Sequence, residues 1–185
     1  MDSPTTTHTT NHADTSVAPL EAAEGRAQLW GFIKDIRFGM FTTRQANGHL
    51  HSRPMTTQNS SVDEDESLWF FMSHRGDPVA DLAAEPVVNV AYADTDADCY
   101  VSVCGLAAVI DNHAKKVQLW SKAAQAWFPG GVDDPDLALV QVRIHAAHYW
   151  NVKTNKVMQL LHMAKAVVTG ETPHGMGEHG EIHMR

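Results

Sequence analysis

The apolar positions along the chain change period several times, and each change predicts an element. Between Leu20 and about Asp35, the residues Leu29, Trp30, Phe32 and Ile33 supply apolar contacts at helical spacing. A β-like pattern then takes over in two runs, Phe38 to Thr43 and His49 to Gln58. They are joined across Asn47-Gly48, a dipeptide favoured in tight hairpin turns because both residues tolerate positive φ. The apolar run Ser67 to Ser73 predicts a third strand behind the acidic turn Asp63 to Glu66. Asp77-Pro78 reads as an N-cap followed by proline at the first helical position, and Pro86 ends that short helix after Glu85.

Val87 to Ala93 and Tyr100 to Ile110 predict strands four and five. Asp111 is placed to cap one longer helix whose Val117, Trp120, Ala124 and Trp127 share a face, ending at Pro129-Gly130-Gly131. Leu137 to Ile144 predicts a sixth strand, and Asn155 caps a last helix with a stripe of Val157, Leu160, Leu161, Ala164 and Val168 that stops at Gly170. Six strands with helices between them favour a small antiparallel barrel over a parallel sheet of βαβ units. Polar, aperiodic ends give the organisation: a disordered tail over 1–17, one domain over 18–170 and a flexible tail over 171–185.

Composition narrows the function. Fourteen Lys and Arg against 22 Asp and Glu give a formal charge of −8, so the average surface repels nucleic acid. No window approaches the roughly 20 apolar residues of a membrane span, and the first fourteen residues lack the pattern of a secretory signal, so a cytoplasmic protein is expected. Cys99 and Cys104 are five residues apart in one strand-like run, an odd separation that points them to opposite faces, so both are expected as free thiols. Twelve histidines raise the question of a metal, but His174, His179 and His183, like His8 and His12, fall in polar ends without a rigid frame, and His49 and His51 lack a third ligand; no metal is expected. Neither a nucleophile elbow, a Cys-x-x-Cys pair nor a phosphate loop is present, so any catalysis must come from a bound cofactor.

Several segments resemble one family in their order and spacing. Arg53-Pro54-Met55-Thr56-Thr57-Gln58 follows the first hairpin turn, and Trp69-Phe70-Phe71, the run Tyr100 to Gly105, Ala126-Trp127-Phe128-Pro129 and Asp133-Asp134-Pro135 come after it. Together they resemble the general stress protein branch of the pyridoxamine 5'-phosphate oxidase-like, FMN-binding split-barrel family, from about Gly25 onward. The resemblance implies a six-stranded antiparallel Greek-key split β-barrel with flanking helices, a homodimer, and FMN, or FAD, held between the subunits. Carried over residue by residue, it implies cofactor contacts from Arg53, Pro54, Met55, Thr56, Thr57, Gln58, Phe71, Met72, Arg75, Tyr100, Gln125 and Trp127. Arg53 would hold the phosphate through its planar guanidinium, or else form a surface salt bridge; Tyr100 and Trp127 have core packing as their plain alternative.

The chain departs from the family at Asp77-Pro78, where phosphate-binding members carry an arginine or lysine pair. It also lacks the C-terminal arginine and histidine motif of the oxidase itself. The reading is therefore a flavin-binding general stress protein acting as an oxidoreductase on an unknown small molecule. The alternative is a flavin-free or weakly binding interaction or storage protein on the same fold.

Overall fold

The computed structural model describes residues 22–63, 65–151 and 178–183. Its centre is one antiparallel sheet of seven strands: β1 (Gly39–Arg44), β2 (Leu50–Met55), β3 (Ser67–Ser73), β4 (Val87–Asp94), β5 (Cys99–Val109), β6 (Leu137–Asn151) and β7 (Glu178–His183). The order is β2-β1-β4-β5-β6-β3, with β7 beside the second half of β6. A single bridge from Thr57 to Phe70, with the Gln58 amide donating to the Trp69 carbonyl at 2.8 Å, links the chain after β2 to β3 at the far end of this order. The sheet thus curls toward itself around a core that includes Phe41, Leu68, Phe70, Val90, Tyr92, Val103 and Val142.

The sequence patterns explain the strands. β5 alternates Val101, Val103 and Ala107 inward against Tyr100, Ser102 and Leu106 outward. β3 is buried on both faces, which is why its apolar run is unbroken: Leu68, Phe70 and Met72 enter the main core, while Trp69 and Phe71 enter a second cluster with Ala124, Phe128, Leu137 and Leu139. The hairpin between β1 and β2 turns over Gln45 to Gly48. Only Gly48 takes positive φ, at 84°, and Asn47 acts instead through its side chain, accepting from the His49 amide at 2.9 Å.

Five expectations are corrected. Helix α1 spans Ala22–Ile33, close to its predicted extent, but α2 (Asp77–Ala84) has Gly76 as its N-cap, so Asp77 is the first helical residue and makes no cap hydrogen bond. The long helix after β5 is two short ones, α3 (His113–Leu119) and α4 (Lys122–Gln125). Asn112, not Asp111, caps α3 by accepting from the Lys115 amide, and Ser121 interrupts the run because its hydroxyl caps α4.

The last two corrections concern strands. β6 runs seven residues beyond Ile144, to Asn151. Glu178–His183, read as tail, is a strand on its edge. Only Ile182 is strongly apolar there. It is 1 % exposed and packs where Gly25 of α1 leaves room, since a Cβ at Gly25 would stand 2.7 Å from its Cγ2. The tail expected over 1–17 and the helix expected from Asn155 to Gly170 lie outside the described residues.

Candidate functional site

Arg53 sits on β2 opposite Phe41 of β1, and its guanidinium is committed to neighbours within the chain. Nη1 donates to Thr43 Oγ1 at 2.8 Å and Nη2 to His51 Nδ1 at 2.9 Å, while Nη2 lies 3.7 Å from Asp81 Oδ2 on α2. The Thr43 hydroxyl, fully buried, donates in turn to the same Asp81 oxygen at 2.6 Å. The Arg53 and Asp81 side chains are 15 % and 11 % exposed, so this is a shielded pair rather than a surface one. Sequence reasoning missed both Thr43 and Asp81: nothing in a strand threonine or a helix aspartate announces that folding will bring them to one arginine.

Beyond Arg53 the strand presents Pro54 and Thr56 to solvent, whereas Met55 packs against the core. Thr57 meets the Tyr92 hydroxyl at 2.7 Å, and Gln58 Nε2 donates to the Thr56 carbonyl at 3.0 Å. Burial holds the Tyr92 phenol well above its ordinary pKa, an effect the Thr57 hydrogen bond partly offsets. Phe71 and Met72 put their side chains into the second cluster and the main core, and they pair with Leu139 and Ala138 of β6.

Arg75, 84 % exposed, is tied by Nε to Asp136 Oδ1 at 3.2 Å. The Asp136 carboxyl is held below the usual carboxylate range, first by the Ser73 hydroxyl at 2.7 Å and then by the Arg75 amide and guanidinium.

Tyr100 belongs to a different place. It lines a groove of about 430 Å³ on the outer face of the sheet with Phe38, Met40, Ser102 and Trp150. Beside it the outward side chains of β6 and β7 form a polar row, in which Glu181 faces His148 and His183, each at 3.4 Å. Gln125 Nε2 donates to the Pro129 carbonyl, and Trp127 stands 82 % exposed just past α4. The helical spacing that had suggested a core position for Trp127 fails because the helix carrying it is broken at Ser121. Among the described residues, Arg53, Met55 and Thr57 therefore turn toward the core side, Pro54 and Thr56 face outward with Pro54 beside Met40 at the edge of the Tyr100 groove, and Trp127 stands apart.

The family model described as pyridoxamine 5'-phosphate oxidase like matches residues 24–174. The chain belongs to this family. Within the pyridoxamine 5'-phosphate oxidase-like family it is similar to a protein of Jannaschia sp. CCS1 assigned to general stress protein 26, at 26% identity with a TM-score of 0.67, covering 88% of this chain and 99% of that one. It is also similar to the general stress FMN/FAD binding protein of Xanthomonas citri, at 28% identity with a TM-score of 0.61, covering 72% and 92%. A curated relative, Protein bli-3 of Neurospora crassa, is 26% identical over 155 residues, 77% of this chain and 72% of that protein. The fold is accordingly the split barrel of this family's general stress proteins.

Proposed function

We propose that this family member binds a flavin between two copies of the chain and serves as a flavin-dependent oxidoreductase for a small molecule. The observation that carries the reading is the match to the Xanthomonas citri FMN/FAD binding protein, which covers 72% of this chain and 92% of that one. Two features of the chain support the ring-binding half. Pro54 and Thr56 leave an exposed strand edge after β2, and Trp127 offers an exposed aromatic face for covering a flat ring from a second copy. The apolar groove containing Tyr100 and Trp150 gives that second copy a place to seat.

A bound flavin would supply hydride chemistry, so the protein's own residues need only hold the ring, exclude water and leave one face open. The free thiols Cys99 and Cys104 favour a reducing compartment such as the cytoplasm. The test is an absorbance spectrum of the purified protein, followed by the mass of whatever denaturation releases. The expected result is a yellow protein releasing FMN, FAD or riboflavin. A colourless protein that also fails to bind added flavin would leave the non-catalytic, flavin-free reading.

A further inference from the structure

Resting on that reading, we infer that the site recognises the flavin ring and its sugar-alcohol chain but not a terminal phosphate, so that riboflavin and its nucleotides form one ligand class for this protein. On physical grounds an anion next to β2 would be sought by the half-buried Arg53 and by the amides that start α2. Both are already engaged by neighbours in this chain. Arg53 already serves Thr43, His51 and the carboxylate of Asp81, and Arg75 is bound to Asp136.

The start of α2 is also poor in donors. Its second residue, Pro78, has no N–H, and the Val79 amide is turned onto the Gly76 carbonyl at 3.1 Å. The exposed carboxylate of Asp77 stands at the same helix end and repels an incoming phosphate. Arg53 and Arg75 against Asp77, Asp81 and Asp136 leave these five groups with a net negative charge. The imidazoles of His51 and His74 are the remaining titratable groups in these two segments, and His51 is used as an acceptor by Arg53. Among the described residues, a phosphate here would compete with Asp81 and Asp136 for cations that are already paired.

The experiment is a titration of the ligand-free protein with riboflavin, FMN and FAD, followed by flavin fluorescence and calorimetry. It is run at about pH 8, above the ordinary histidine range, at low and high salt. The three affinities are expected within about threefold of one another, with FMN binding unchanged or tightened by salt as repulsion is screened. FMN binding about tenfold tighter than riboflavin at low salt, and weakened by high salt, would overturn the inference while leaving the flavin reading intact.

A double variant, Asp77→Arg with Pro78→Lys, checks the placement of the phosphate end on an exposed helix start. FMN should gain severalfold in affinity and riboflavin should gain nothing. An equal gain for riboflavin would overturn the placement. No saturable binding of any of the three flavins removes the flavin reading itself, and the inference with it.

Discussion

Thr43 and Tyr92 show how polar groups are accommodated inside this sheet. Thr43 accepts from Arg53 and donates to Asp81, so its hydroxyl uses both roles while fully buried. Tyr92 is nearly as enclosed, with Thr57 as its partner. Its raised pKa has a definite sign for stability. The unfolded chain releases the phenolic proton above about pH 10, and the folded chain keeps it, so stability is untouched below that pH and falls as pH rises beyond it. Tyr92→Phe should therefore cost about 1 kcal/mol near neutrality, the worth of one hydrogen bond. The variant should also lose less stability than the parent between about pH 9 and pH 11. Urea unfolding at the two pH values checks this, and an equal alkaline loss in both proteins would rule out Tyr92 as its source.

Among the elements, β7 depends most on a single side chain. Ile182 is its one strongly apolar residue, seated over Gly25 and within the main core, while its other flank carries the Glu181 and histidine row. Ile182→Ala should destabilise the protein by about 2–5 kcal/mol, as for other buried aliphatic truncations. Amide exchange of Ala146 to Asn151, the stretch of β6 paired with β7, should accelerate with it. Denaturant melts and exchange rates measure both, and a loss under about 1 kcal/mol would show that β7 is held by its ladder alone.

The same strand marks where sequence reading stops. β1 to β5 and the start of β6 were legible because each carries its own alternation or apolar run. β7 was not, because its burial comes from a glycine about 155 residues earlier in the chain. Likewise Arg53 was legible as a notable residue, while its engagement with Asp81 was not, because that pair exists only once α2 packs across the β1–β2 hairpin.

For the molecule as a whole, the outer groove is the feature that calls for a partner. Phe38, Met40, Tyr100 and Trp150 are all large, apolar and substantially exposed in one place, a combination that a lone soluble chain seldom presents. A second copy related by a two-fold axis would cover the face with its own equivalent. Light scattering should give a dimer mass for the parent protein and a monomer for Trp150→Glu, with Trp150→Phe remaining dimeric. A dimeric Trp150→Glu protein would place the contact elsewhere. The position of β7 also matters to solubility. β6 pairs with β5 on one side and with β3 and then β7 on the other, so β7 occupies backbone donors and acceptors that would otherwise form an open edge beside an apolar groove. Unpaired strand edges recruit strands from other molecules. Excision of Glu178–His183 would therefore open that edge of β6 and turn it into a template for aggregation.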